Sequence, residues 1–317
     1  MDNPDAASDR PPFPVDHTFS PLQPGALLGS MIHFRAIIDL LVEALQPKVI
    51  CEIGVQSGVV TQRLVSWARE HRASYIGVDP VISPRVRKAL GEDDCVTLYA
   101  EKSLEVLPRL PMPDLTVIDG DHNYYTVHGE LSALVAAWDA AGRKPFAILM
   151  HDTSWPWARR DAYYAPAAIP EAARRPIARR GGASVRSEKI LPWGHGAKEA
   201  FAVAEPCGGP RNGVLTALED VIGARPDLAV AHVPAAFGLS IIYPADLGPP
   251  RFAEAIGKLT TSLSVLGELL AGVEYARLLA YEMYQKDERL RIFKRLGHWI
   301  ATPWRNAKLR RRQAQID

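Results

Sequence analysis

The stretch KVICEIGVQSGVVT, residues Lys48–Thr61, decides the fold predicted for this chain of 317 residues. It begins with an apolar run rich in branched side chains, which is typical of a buried parallel strand. Glu52 and two glycines, Gly54 and Gly58, follow, and apolar residues then recur at helical spacing. A strand that ends on glycine and reopens as a helix leaves backbone N–H groups at the carboxyl end of a sheet. Nucleotide-like ligands bind there in open α/β folds.

Strands and helices alternate along the rest of the first half. Strand-like apolar runs lead into Asp79, Asp119 and Asp152, with helical patterns between them, which predicts a doubly wound parallel sheet. Two closing strands, Leu228–Val233 and Leu239–Tyr243, are too close in sequence for a crossover helix, so the last pair is predicted to be antiparallel. The fold class is α/β, with a seven-stranded, mostly parallel, Rossmann-like sheet whose last strand is antiparallel.

Four segments are predicted along the chain. Residues 1–28 are rich in Pro, Asp and Ser and form a partly disordered arm. Residues 29–245 form the α/β domain, in which 153–212 is an insertion too long for a plain connection and is interpreted as a functional lid. Residues 246–317 form a C-terminal helical extension.

The C-terminal extension is predicted to contain two helices, Phe252–Leu270 and Val273–Leu296. Leucines recur at helical spacing in the first of them: Leu259, Leu263, Leu266, Leu269 and Leu270. This face either binds a second subunit, giving a homo-oligomer, or packs back onto the domain. The sequence leaves both alternatives open.

Composition excludes several classes of protein. A formal net charge of +1 gives no global field for steering nucleic acid, so no nucleic-acid partner is expected. The three cysteines lie far apart and predict neither a disulfide framework nor a zinc knuckle. No secretory signal and no membrane-spanning run is found. We therefore expect a cytoplasmic protein.

The acidic residue of the opening stretch bears on the choice of ligand. A dinucleotide site prefers Gly-x-Gly-x-x-Gly, but here Glu52 occupies the first glycine position. A carboxylate there would repel a pyrophosphate and would suit a ligand with an amino group and a sulfonium. Asp79, after the second strand, is placed to accept hydrogen bonds from two ribose hydroxyls.

At these residues the chain resembles the class I S-adenosylmethionine-dependent methyltransferases. Glu52, Gly54 and Gly58 match the first motif of that family, and Asp79 matches its ribose-binding acidic residue. The resemblance implies S-adenosylmethionine as the cofactor and places Ser103 near the adenine. The cofactor-binding residues predicted in this way are Glu52, Gly54, Gly58, Asp79, Ser103 and Asp119.

A second group of polar residues follows the fourth and fifth strands. Adjacent parallel strands bring their carboxyl ends together, so Asp119, Asp152 and His151 are predicted to converge on one divalent ion. Carboxylate oxygens suit Mg²⁺, whereas a histidine ligand favours Mn²⁺ or Fe²⁺. A cap of the next helix by Asp121 and a buried, satisfied His151 are the structural alternatives.

This second group resembles the metal-dependent O-methyltransferases that act on sugars and sugar-bearing natural products. In that family the ion binds two oxygens of the acceptor and lowers the pKa of its hydroxyl. The resemblance implies that Asp121 or His122 acts as the catalytic base. The chain departs from the family at His151, where an acidic residue is common.

The segment Thr153–Tyr164 is rich in aromatic, arginine and carboxylate side chains. It is interpreted as a wall for a saccharide, or alternatively as the small core of a long loop. The predicted function is therefore O-methylation of a hydroxyl on a saccharide or glycosylated small molecule. The alternatives are a hydroxylase-like metal enzyme on the same fold and a non-catalytic carbohydrate-binding or scaffold protein.

Overall fold

The computed structural model describes residues 30–55, 59–90, 93–197, 201–246 and 248–313, and from residue 292 onward it describes the backbone alone. The arm predicted for residues 1–28 lies outside the described residues. The described strands are β1 (Val49–Ile53), β2 (Ser74–Val78), β3 (Val96–Tyr99), β4 (Leu115–Ile118), β5 (Ala147–His151), β6 (Ala162–Tyr163), β7 (Gly182–Ala183), β8 (Ile190–Leu191), β9 (Ala202–Val203), β10 (Leu228–Val233) and β11 (Leu239–Pro244).

Helices alternate with the first five strands and return before and after the closing pair. A 3₁₀ turn, Met31–Phe34, precedes the first of them. The described α-helices are α1 (Arg35–Leu45), α2 (Val59–His71), α3 (Pro84–Leu90), α4 (Ser103–Val106), α5 (Tyr124–Ala140), α6 (Val214–Ile222) and α7 (Pro250–Gln313).

Seven strands form one sheet in the order β3-β2-β1-β4-β5-β11-β10. The first five strands are mutually parallel, whereas β11 runs antiparallel to both β5 and β10. This arrangement confirms the predicted α/β class and the antiparallel closing pair. Since the chain leaves β1 towards β2 and later returns beside β1 as β4, the order reverses between β1 and β4. Open α/β sheets bind their ligands in the crevice at such a point.

Apolar side chains cover both faces of the sheet. One face packs against α1, α2 and the start of α7, with Ile38, Leu64 and Ile256 buried there. The other face packs against α5 and α6, with Leu131 and Leu218 buried there. Burial on both faces explains why the parallel strands are continuous apolar runs.

The C-terminal extension differs from the prediction, since α7 is one helix of 64 residues and not two. The predicted break fell beside Gly272, but a single glycine costs only about 1 kcal/mol in a helix interior and is tolerated there. Leu259, Leu263 and Leu270 pack against the domain. No helix in the described part of the chain is both long and apolar enough to cross a membrane.

Candidate active site

The carboxyl ends of β1, β4 and β5 meet at one edge of the sheet. Ile53 pairs with Ile118 across β1 and β4, and Ile118 pairs with Met150 across β4 and β5. The residues that follow these strands therefore lie side by side.

Gly54 is the point of closest approach between the β1 and β4 ends. Its φ is +96°, and a Cβ atom there would lie 2.2 Å from the backbone oxygen of Asp119. Its N–H donates to the carbonyl of Val78 at 2.9 Å. Only glycine meets both the positive φ and the lack of space. The other predicted glycine, Gly58, lies outside the described residues.

Asp119, His151 and Asp152 converge as predicted. One ligand atom from each lies within 4.8 Å of the other two. Nδ1 of His151 is 2.9 Å from Oδ1 of Asp119 and 3.2 Å from Oδ2 of Asp152. Asp152 has a φ of +61°, a conformation that aspartate and asparagine tolerate better than most residues. The structure thus brings together one nitrogen and two carboxylate groups, a donor set that suits a divalent cation.

The second nitrogen of His151 fixes the direction of the first. Nε2 lies 2.9 Å from the carbonyl oxygen of Ala236, and because a carbonyl only accepts, Nε2 carries the proton. A histidine that ligates a metal commonly donates its other N–H to a carbonyl in this way. With Nε2 protonated, Nδ1 of the neutral ring would present its lone pair to the two carboxylates. The residues therefore fit a divalent ion.

The charges of the cluster favour a cation at this point. Burial alone would lower the pKa of His151, but the carboxylates of Asp152 and Asp119 outweigh it and raise that pKa well above its usual value. Burial raises the pKa of Asp152, but the neighbouring His151 and His122 outweigh it and leave that pKa lowered. A positive charge between these carboxylates, from a proton or from a metal ion, is stabilised.

The two candidate bases point in different directions. Nδ1 of His122 lies 3.1 Å from Oδ2 of Asp152, so this imidazole contacts the cluster. Asp121 instead accepts a hydrogen bond from the hydroxyl of Thr126 at 3.3 Å. It does not cap α5, because that role belongs to Asn123, whose side chain accepts from the Thr126 N–H at 2.9 Å.

The predicted cofactor residues Glu52, Asp79 and Ser103 have different environments. Glu52 is buried and accepts a hydrogen bond from the hydroxyl of Tyr75; burial raises its pKa to about 7, although the Tyr75 hydrogen bond opposes the shift. Asp79, at the end of β2, is half-buried. Ser103 is buried and donates its hydroxyl proton to Glu130. Of the three, Asp79 is the most accessible to a ligand.

The turn between β10 and β11 supports the cluster, and no pattern in the sequence indicates this role. The carbonyl of Ala236 in this turn accepts from His151. The N–H of the next residue, Phe237, donates to Glu274 of α7 at 3.1 Å. Glu274 is buried, so α7 holds the turn that holds His151. No local pattern links residues so far apart in the chain.

The insertion uses four large polar and aromatic side chains to build its own core. Trp157, Arg160, Asp161 and Tyr163 are at most 2% exposed. Arg160 donates to the carbonyls of Ala204 at 2.7 Å and Glu205 at 2.6 Å, and to that of Glu188. These four side chains are structural, which leaves the half-buried Trp155 and the exposed Tyr164 for an acceptor.

Replacing Arg160 tests this structural role. We expect Arg160→Lys to lower the free energy of unfolding by about 2–3 kcal/mol, because lysine lacks the planar fork with which this buried guanidinium serves three carbonyls. The neighbouring Arg159 is exposed and pairs with Glu219, so Arg159→Lys should cost less than about 1 kcal/mol. Denaturant unfolding of both variants measures the difference. Equal losses would contradict the assignment.

His195 is a further polar side chain beside the cluster. It is 9% exposed, and its ring centroid lies 4.9 Å from that of Phe237 and 5.7 Å from that of Trp155. Burial lowers its pKa to about 4 although Asp152 opposes the shift. Its Nδ1 is buried and has no hydrogen-bond partner among the described residues.

Comparisons with known proteins connect this part of the chain with one domain family. Residues 51–153 match a family model described as a methyltransferase domain, and all the predicted site residues fall within that range. No protein of curated function matches the chain.

Solved structures resemble the chain weakly. The methyltransferase PaMTH1 of Podospora anserina, bound to SAH, is 18% identical over 70% of this chain and 82% of its own, with a TM-score of 0.43. An O-methyltransferase structure from Klebsiella pneumoniae, described as putative, is 17% identical over 68% and 80%, with a TM-score of 0.38. Such scores say nothing about the reaction. Residues 51–153 therefore match a methyltransferase domain, and the strand order of the sheet agrees with the Rossmann-like fold expected for such a domain.

Proposed function

We propose that this protein is a divalent-metal-dependent O-methyltransferase that methylates a hydroxyl of a saccharide or glycosylated small molecule. The observation that carries the proposal is the convergence of Asp119, His151 and Asp152. These residues lie at the same edge of the sheet as Gly54. His151 and Asp152 are buried and Asp119 is half-buried, and grouping two carboxylates in this way is costly unless a cation balances their charge.

The methyl donor is proposed to lie over the ends of β1 and β2. Gly54 permits close approach of the ligand to the backbone, and the Asp79 carboxylate would accept hydrogen bonds from the ribose. Glu52 is buried below this edge of the sheet, and in its ionised form it would add negative potential under the amino group and sulfonium. Ser103 and Gly58 stay predictions for this site. S-adenosylmethionine, when bound, supplies a methyl group on a sulfonium that an oxygen nucleophile displaces.

The cation is proposed to be held by Asp119, His151 and Asp152. Mg²⁺ suits the carboxylates, whereas the nitrogen of His151 favours Mn²⁺ or Fe²⁺. Such an ion supplies a Lewis acid that lowers the pKa of the acceptor hydroxyl and orients it. The carbonyl of Ala236 keeps the His151 ring in place for this role.

His122 is the proposed base, because its imidazole contacts Asp152 while Asp121 faces Thr126. We expect His122→Asn to lower the turnover rate by about 10²–10⁴-fold, the usual contribution of a positioned base. Asp121→Asn should cost less than about tenfold, the value of one hydrogen bond. Steady-state kinetics of both variants decide between them. A larger loss in Asp121→Asn would move the role to Asp121.

The acceptor side of the site is formed by the insertion. Tyr164 lies 3.4 Å from Nε2 of His122 through its hydroxyl and is 44% exposed. Trp155 and His195 add a ring and an unpaired nitrogen. A ring for stacking beside hydrogen-bonding groups supports a saccharide acceptor, although the burial of Trp157 and Tyr163 leaves fewer rings than the sequence suggested.

A methyl-transfer assay with labelled S-adenosylmethionine tests the proposal. A panel of sugars, glycosides and catechols is assayed before and after chelation, and then with Mg²⁺ or Mn²⁺ restored. We expect label on a sugar hydroxyl, loss of transfer with chelator, and recovery with metal. Transfer that survives chelation contradicts the metal requirement, and transfer to catechols alone contradicts the saccharide acceptor. Hydroxylated product with Fe²⁺ and oxygen would favour the hydroxylase alternative, and absence of any turnover the binding protein.

A further inference from the structure

Helix α7 carries a second apolar stripe that no part of the described chain covers. Large apolar side chains along it are exposed: Leu266 is 47% exposed, Leu269 62%, Val273 59%, Met283 58% and Leu290 44%. Ala276 and Ala280 between them are also exposed.

The spacing of this stripe follows a heptad. Successive members are separated alternately by three and four residues, and they are Leu266, Leu269, Val273, Ala276, Ala280, Met283, Asp287 and Leu290. The stripe spans about three and a half heptads, which is the length at which such a pattern indicates a coiled coil. A stripe this narrow differs from the broad apolar face of a helix that lies on a membrane.

The stripe faces away from the body of the protein. The side of α7 that packs on the domain carries Glu274, Leu278 and Glu282, which are buried. Glu282 accepts a hydrogen bond from the N–H of Val185 at 2.7 Å. At 100° per residue the heptad stripe is centred roughly opposite Leu278. A partner helix can therefore reach the stripe without displacing the domain.

The composition of the stripe favours pairing with itself. Leucines stand near both ends and two alanines stand in the middle, so the stripe reads nearly the same in both directions. In an antiparallel twofold contact, such a stripe sets Leu266 against Leu290 and Ala276 against Ala280 of the second copy. The single charged member, Asp287, is paired with Arg291 of the same helix at 3.1 Å, so the stripe offers no unpaired charge to a partner of opposite sign.

From these observations we infer that a second copy of this chain covers the stripe, and that two α7 helices form a coiled-coil dimer through Leu266–Leu290. The two faces of α7 then have separate roles. One face holds the turn beside His151 through Glu274, and the other joins the subunits.

Sedimentation equilibrium of the full chain tests the dimer. Wild-type protein should have twice the chain mass of 34.8 kDa. The double substitution Leu269→Glu with Val273→Glu should give the mass of one chain, because it would bury four carboxylates in the seam. Tyr275→Glu is the matched control: Tyr275 is 50% exposed on the same helix but outside the stripe, so this variant should remain a dimer.

Circular dichroism with thermal unfolding checks that the double variant is folded, which is expected because both replaced side chains are mostly exposed in one chain. Wild-type protein that is monomeric at all concentrations overturns the proposal. So does a double variant that is folded and still dimeric. Monomeric wild-type protein that co-sediments with vesicles of anionic lipid would assign the stripe to a membrane surface instead.

Discussion

Replacing Asp152 by asparagine should lower the turnover rate by at least about 100-fold while leaving S-adenosylmethionine binding close to wild type. Asparagine keeps the size of the side chain and tolerates the φ of +61° at this position. It removes the charge that lies beside Nδ1 of His151 and Nδ1 of His122. Both the ion and the proposed base would therefore lose a partner. Steady-state kinetics and calorimetry with the cofactor measure the two effects separately.

The matched control is Asp94→Asn. Asp94 is an exposed carboxylate just before β3, at the opposite edge of the sheet from the site. The Asp94→Asn substitution should leave both the turnover rate and the affinity for S-adenosylmethionine unchanged. If Asp152→Asn turned over at the wild-type rate, Asp152 would have no part in the reaction. If it lost cofactor binding as well, the two ligand sites would not be separable in the way proposed.

Gly54→Ala should lower the free energy of unfolding by about 2–5 kcal/mol and weaken cofactor binding. A positive φ costs alanine about 1–2 kcal/mol, and its methyl group would lie 2.2 Å from the backbone oxygen of Asp119, which adds about 1–3 kcal/mol of overpacking. The strain falls on the contact between the ends of β1 and β4. Denaturant unfolding measures the loss in stability, and calorimetry measures the affinity for S-adenosylmethionine.

Gly142→Ala separates the cost of the positive φ from the cost of the missing space. Gly142 has a φ of +76° and no atom within 4 Å of a Cβ, so alanine there meets the backbone penalty alone, about 1–2 kcal/mol. Its cofactor affinity should not change. Equal losses in the two variants would show that space beside Asp119 is not what requires glycine at position 54.

The sheet and the convergence of Asp119, His151 and Asp152 were predictable because both follow from local patterns. Apolar runs ending on Asp79, Asp119 and Asp152 predict parallel strands, and parallel neighbours place their carboxyl ends together. The choice between Asp121 and His122 was not predictable. Adjacent residues in a loop point in different directions according to partners such as Asp152 and Thr126, which periodicity does not reveal.

The insertion shows a second limit on what can be predicted from the sequence. Trp157, Arg160 and Tyr163 have the composition of a binding wall, but they are buried because a long irregular segment needs a core of its own. Burial in such a segment depends on contacts with distant carbonyls such as that of Ala204. The same limit applies to Glu274, which supports the site from a helix more than a hundred residues away from Asp152.

The central claim is that Asp119, His151 and Asp152 hold a divalent ion beside the methyl donor. A crystal structure with SAH and Mn²⁺, with anomalous data collected for manganese, tests it most directly. We expect one anomalous peak at about 2.0–2.3 Å from Nδ1 of His151 and from an oxygen of each carboxylate. Absence of a peak there, with Nδ1 of His151 still bridging Asp119 and Asp152, would contradict the claim.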